Sequence, residues 1–139
     1  QEAKKFMNKI QLKKEADFIV VDIHGEITSE KMAMGHLFDG KATMVVGTHT
    51  HVPTLDYRIM EKGTAYQTDV GMCGDYNSVI GMNRENSLKR FLKDPSAKKH
   101  YPALGEATIS GLLVNANNET GLANKVEPIV IGGSLENRI

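Results

Sequence analysis

The chain has 139 residues, and 17 Lys and Arg balance 17 Asp and Glu to a formal net charge of zero, a length that makes one domain. Its 40% hydrophobic and 24% charged residues exclude the regime of disorder, and the zero balance argues against a general binder of nucleic acid or anionic membranes. The longest aliphatic and aromatic run, FIVV at residues 18–21, and the single cysteine, Cys73, offer neither the ~20 apolar residues of a membrane span nor an internal disulfide, so the cytoplasm is the expected compartment.

Aromatics make up 6% of the chain and Trp is absent, so the core is expected to rest on Val, Ile, Leu, Ala and Met. Residues 1–14 place Phe6 and Ile10 on a helical repeat, and residues 17–23 form a short β-branched run that reads as a buried strand. Thr28 or Ser29 is expected to cap a second helix, with Glu30 in its first turn and Asp39-Gly40 closing it. Residues 42–47, ATMVVG, read as a second buried strand. Strand, crossover helix and strand imply parallel pairing within an α/β sheet.

The pattern then changes. Residues 55–60 and 64–68 flank Glu61-Lys62-Gly63, which predicts a hairpin. Residues 69–82, DVGMCGDYNSVIGM, read as a glycine-rich loop, residues 83–93 as a short helix, and residues 107–115 and 126–131 as a closing antiparallel hairpin.

Histidines carry the chemical signal. His24 ends VVDIH, and His49 and His51 follow the second strand in VVGTHTH. Ligands of open α/β sheets bind outside the carboxyl ends of the strands, and parallel neighbours bring those ends together. Imidazole is a common ligand for Zn, Fe and related ions. A His-x-His pair alone is weak evidence and reads more readily as two hydrogen-bonded loop residues; His24 at the end of the adjacent strand strengthens the metal reading.

Asp22 alternates with His24 and can fix its tautomer from a second shell, while Asp22 or Glu26 can equally cap a loop or the next helix. Asp69 and Asp75 stand in the glycine-rich loop, where backbone amides can meet an anion or the glycines simply permit tight turns. His36 and His100 are read as non-functional, and Cys73 as packed rather than nucleophilic. The basic runs have few interleaved aromatics, so nucleic acid is not an expected partner.

Residues 21–82, from VDIHGEITSEK through GTHTH to SVIGM, resemble the YmdB-like family of calcineurin-type metallophosphoesterases, bacterial phosphodiesterases acting on cyclic nucleotides. The resemblance implies half of an αββα sandwich, with a mixed sheet, flanking helices and a C-terminal hairpin. It also implies a dinuclear centre of two divalent ions, iron or manganese, with His24 and His49 on one metal and His51 on the other. The family's Asp, bridging Glu, Asn ligands and catalytic His come from a first half that no stretch here matches, so no catalytic residue is expected in this chain. Together with the opening at Gln1, this leads us to expect residues 1–139 to be a single unit, the C-terminal part of such a domain, inactive alone. An exposed half-surface would favour a homo-oligomer. The alternatives are a non-catalytic half-domain that binds a partner chain or itself, and a mononuclear three-histidine hydrolase.

Overall fold

The computed structural model describes residues 2–138. Helix α1 (Glu2–Lys9) is followed by β1 (Val20–His24), α2 (Thr28–Phe38), β2 (Met44–Thr48), β3 (Arg58–Ile59), β4 (Ala65–Gln67), α3 (Arg84–Phe91), β5 (Ile109–Ala116) and β6 (Ala123–Ile131). A four-stranded sheet has the order β1-β2-β4-β3, and β5 and β6 form a separate two-stranded sheet. The fold is α/β, with a mixed sheet and a C-terminal antiparallel hairpin.

Strands β1 and β2 pair in parallel, from Val20 opposite Met44 to His24 opposite Thr48. The expected strand–helix–strand unit is therefore present. Strand β4 continues the parallel run on the other side of β2, and β3 pairs antiparallel with β4 around the turn that contains Gly63 at φ 96°. The paired segments of that hairpin are shorter than the sequence predicts, because residues 53–56 are tied to the loop after β4 instead: Thr54 N donates to Asp69 O at 3.0 Å.

Three local expectations are corrected. Strand β1 is not buried: Val20 is 61% exposed, because β1 pairs with β2 alone among the described residues and forms one edge of the sheet. Neither Thr28 nor Ser29 caps α2. The cap position falls on Ile27, which makes no side-chain cap bond, and both hydroxyl residues lie within the helix. Helix α1 ends at Lys9 and buries no residue; the following loop closes on Lys13, at φ 64°, and an exposed Lys13–Asp17 ion pair holds that Asp below the usual carboxylate range.

The C-terminal end of α2 follows the sequence reading. Gly40 turns the chain at φ 77°, where a β-carbon would be strained. The Asp39 carboxylate accepts from Lys62 N, which docks the helix end onto the β3–β4 turn.

The apolar core lies at the amino ends of the parallel strands, built from Ile19, Phe38, Ala42, Val45, Met60 and Tyr66. Tyr66 is the largest side chain with no exposure, and its ring lies under Gly35 of α2, where a β-carbon would fall 2.6 Å from Cδ2. At the carboxyl ends the interior is polar: Lys31, Gln67, Thr68 and Asp69 are all buried. Among the described residues, no helix is long and apolar enough to cross a membrane.

Candidate metal centre

The parallel register brings His24 and His49 together. His24 closes β1, His49 follows the last residue of β2, and their rings meet edge to face at 76° with centroids 5.1 Å apart. His24 Nε2 and His49 Nδ1 are 3.3 Å apart.

Proton accounting identifies the tautomer of His24. Thr48 Oγ1 donates to Asp22 Oδ1 at 2.9 Å, so its single proton is used, and it accepts from His24 Nδ1 at 3.0 Å. His24 Nδ1 therefore donates, and Nε2 is turned toward His49 Nδ1. Asp22 and His24 share a face of β1 because successive strand side chains alternate, and Thr48 stands opposite His24 in the register. The tautomer-fixing role expected of Asp22 thus runs through Thr48, a residue the sequence reading passed over.

His51 is aimed separately. Its Nδ1 donates to the backbone oxygen of Ile80, in the glycine-rich loop, at 2.9 Å, because a carbonyl can only accept. Its Nε2 is left as the free nitrogen. Among the described residues no three His, Cys, Asp or Glu side chains are grouped to hold one ion, so the geometry is a pair of histidines plus a third turned elsewhere.

Both histidines of the His-x-His segment have unusual backbones. His49 lies at φ 130° and His51 at φ 65°, conformations that cost roughly 1–3 kcal/mol each when a β-carbon is present. Such strain collects at functional sites, and it is invisible in residue types.

This donor set fits a metal. Ligating histidines usually donate their second ring N–H to a carbonyl or, directly or through a relay, to a carboxylate, as His51 and His24 do here. Two metal–nitrogen bonds of about 2.0–2.1 Å place their nitrogens about 2.9 Å apart at a right angle and about 3.4 Å apart at the tetrahedral angle. The 3.3 Å between His24 Nε2 and His49 Nδ1 falls within that span.

The remaining candidates lie elsewhere. Glu26 is exposed and has no hydrogen-bond or ion-pair partner among the described residues. Asp69 is wholly buried: burial raises its carboxyl, but bonds from Thr50 N, Lys31 and Gly71 N outweigh this and hold it below the usual range. It meets the protein's own amides, not an open anion site. Asp75 accepts from Asn77 N within its own turn. His36 and His100 are exposed. Cys73, expected to be packed, is exposed, with Sγ 3.5 Å from Ser110 O; the surrounding glycines supply no side chains to cover it. His24 and His49 are themselves exposed, and a cavity of about 600 Å³ lined by α1, the first half of β1 and α2 takes in Asp22 but no histidine.

Comparison with known proteins identifies relatives of the whole chain. The chain is 48% identical over 118 residues to the 2',3'-cyclic-nucleotide 2'-phosphodiesterase of Bacillus subtilis (strain 168), covering 85% of this chain and 44% of that protein. A crystal structure of a novel phosphatase from Mycoplasma pneumoniae superposes with a TM-score of 0.81 at 41% identity, over 93% of this chain and 44% of that one. A hypothetical protein from Thermus thermophilus superposes with a TM-score of 0.80 at 40% identity, over 94% and 49%. The chain thus spans about half the length of the relatives it matches. The YmdB-like protein family model matches residues 1–129, and the chain belongs to that family.

Proposed function

We propose that the protein is a metal-dependent phosphodiesterase acting on small phosphodiesters, cyclic nucleotides among them, and working in the cytoplasm. His24 and His49 hold one divalent ion and His51 a second, iron or manganese in each case. The observation that carries this reading is the pair of ring nitrogens 3.3 Å apart, with the Asp22–Thr48–His24 relay engaging His24 Nδ1 and turning Nε2 toward His49. The name of the Bacillus subtilis relative supports the substrate class.

Two bound divalent ions supply an activated water nucleophile and charge stabilisation for the phosphoryl group in flight. This chain's residues orient that chemistry. Thr48 and Asp22 hold His24 in one tautomer and one ring plane, and Ile80 O holds His51. The three imidazoles supply no anionic oxygen, so on this reading a carboxylate to join the two ions and an acid to protonate the leaving oxygen would be supplied by the length that the relatives possess beyond this chain. The chain is read as one unit completed by the remaining length that its relatives possess, and as inactive alone.

The test is hydrolysis of a 2',3'-cyclic nucleotide and of bis(p-nitrophenyl) phosphate by the full-length protein loaded with Mn²⁺. His49→Ala is expected to remove metal and most of the activity while leaving the fold intact. Full metal content and activity in that variant would sink the assignment.

A second reading, a non-catalytic half-domain that self-associates, is favoured by one observation: Leu104, Phe91 and Leu92 are 94%, 83% and 73% exposed, apolar surface of the kind that draws partners. Homo-oligomerisation is compatible with either reading. A folded full-length protein without phosphodiesterase activity at any divalent metal tested would favour the second.

A further inference from the structure

Beneath the histidine loop lies a buried ion pair that the proposed reaction does not use. Lys31 Nζ, reaching in from α2, is 3.0 Å from Asp69 Oδ2, with the two side chains 1% and 0% exposed. Lysine reaches this point only because β2 carries glycine at position 47: a β-carbon there would lie 2.7 Å from Lys31 Cδ and 1.8 Å from Thr68 O.

The Asp69 carboxylate is fully engaged. Oδ2 accepts from Lys31 Nζ and from Thr50 N at 2.9 Å, and Oδ1 accepts from Gly71 N at 3.0 Å. Thr54 fastens the backbone of Asp69 on the other side, its Oγ1 accepting from Asp69 N at 3.0 Å.

Thr50 is the residue between the two histidines at positive φ. A strained backbone persists only where its surroundings hold it, and the hold at this peptide is the bond from Thr50 N to Asp69. Gly71 N begins the loop whose Ile80 oxygen orients His51. One carboxylate therefore grips both segments that aim the imidazoles. Stability alone does not call for a buried ion pair, since apolar residues of similar volume often replace one without loss.

We propose that Lys31 and Asp69 form the positioning device of the metal centre. Asp69 holds the His49-Thr50-His51 segment in the conformation that presents its imidazoles, and Lys31 compensates the carboxylate that does so. Neither residue touches metal or substrate. The inference rests on the reading of His24, His49 and His51 as ligands.

The decisive variant replaces the whole pair, Lys31→Met with Asp69→Leu, in the full-length protein. Mn²⁺ affinity is measured by titration, the metal-free imidazole resonances by NMR, and the fold by circular dichroism and thermal melting. A structural pair alone predicts a folded variant with unaltered metal binding. The positioning role predicts a folded variant with Mn²⁺ affinity weakened roughly 10–100-fold and the His49 and His51 resonances displaced. Asp69→Asn, which keeps size and one acceptor, is expected to give a smaller loss of the same kind, and it carries the test if the double variant does not fold. Parental affinity and parental resonances in the folded variant would overturn the proposal. A parent that takes up no Mn²⁺ overturns the ligand reading instead, and the imidazole resonances then still decide whether Lys31 and Asp69 set the loop.

Discussion

The two ends of the parallel strands are built on opposite principles. At the amino ends Ile19, Phe38, Ala42, Val45, Met60 and Tyr66 close a core of apolar contacts, stabilised by removing hydrocarbon from water. At the carboxyl ends Lys31, Gln67, Thr68 and Asp69 are just as buried, yet their interior is stabilised only to the extent that each donor and acceptor is paired. The first end tolerates approximate geometry. The second depends on directional bonds, which is what an array of ligands requires. Helix α2 serves both, placing Phe38 and Gly35 over the core and Lys31 under the histidine loop.

The sharpest way to break the first end is Tyr66→Ala, which empties the space under Gly35. It is expected to cost about 3–5 kcal/mol, read as a lower midpoint in denaturant. Because the histidine loop hangs on Asp69 and not on Tyr66, residual folded protein should keep its metal affinity.

An acid titration isolates the polar end. Asp56 resists burial, which raises its carboxyl, through bonds from the Thr54 and Thr68 hydroxyls and from Thr68 N, and its pKa sits below the ordinary 3.8. A carboxyl depressed in the folded state contributes stability that is present above the unfolded value and lost as pH falls through the folded one. Stability should therefore drop below about pH 4. Asp56→Asn is expected to cost about 2 kcal/mol at neutral pH and to flatten that drop, as followed by urea midpoints across pH.

The smallest effect has the opposite sign. His49→Gly relieves the backbone at φ 130°, and after the entropy cost of glycine it should raise stability by about 0.5–1 kcal/mol while abolishing Mn²⁺ binding. Lower stability on that substitution would mean that the imidazole's contacts outweigh the strain.

These ends also differ in how far they could be read from residues. The meeting of His24 with His49 was legible, since two β-branched runs joined by a helix imply parallel strands whose carboxyl ends adjoin. The closing hairpin and the Gly40 turn followed from pattern and turn chemistry in the same way. Tyr66 at the centre of the core was not, because burial of a tyrosine beneath Gly35 depends on a tertiary approach that has no period. Nor were the positive φ angles of His49 and His51, the exposure of Cys73 or the path of Lys31. Each is set by contacts between residues 19 to 38 positions apart or by the absence of side chains around it.

The pairing of His24 with Thr48 in the parallel register has a consequence for assembly of the sheet. A slip of one residue along β2 turns every side chain of β1 toward the opposite face, separating Asp22 and His24 from Thr48. Val21 and Ile23, which pack against the core, resist such a slip, whereas Val20, largely exposed at the sheet edge, adds little. On the proposed reading, an ion held by His24 and His49 would add its binding free energy to the correct alignment alone. Metal uptake would then, on that reading, reinforce the strand register that the inward apolar residues of β1 already favour.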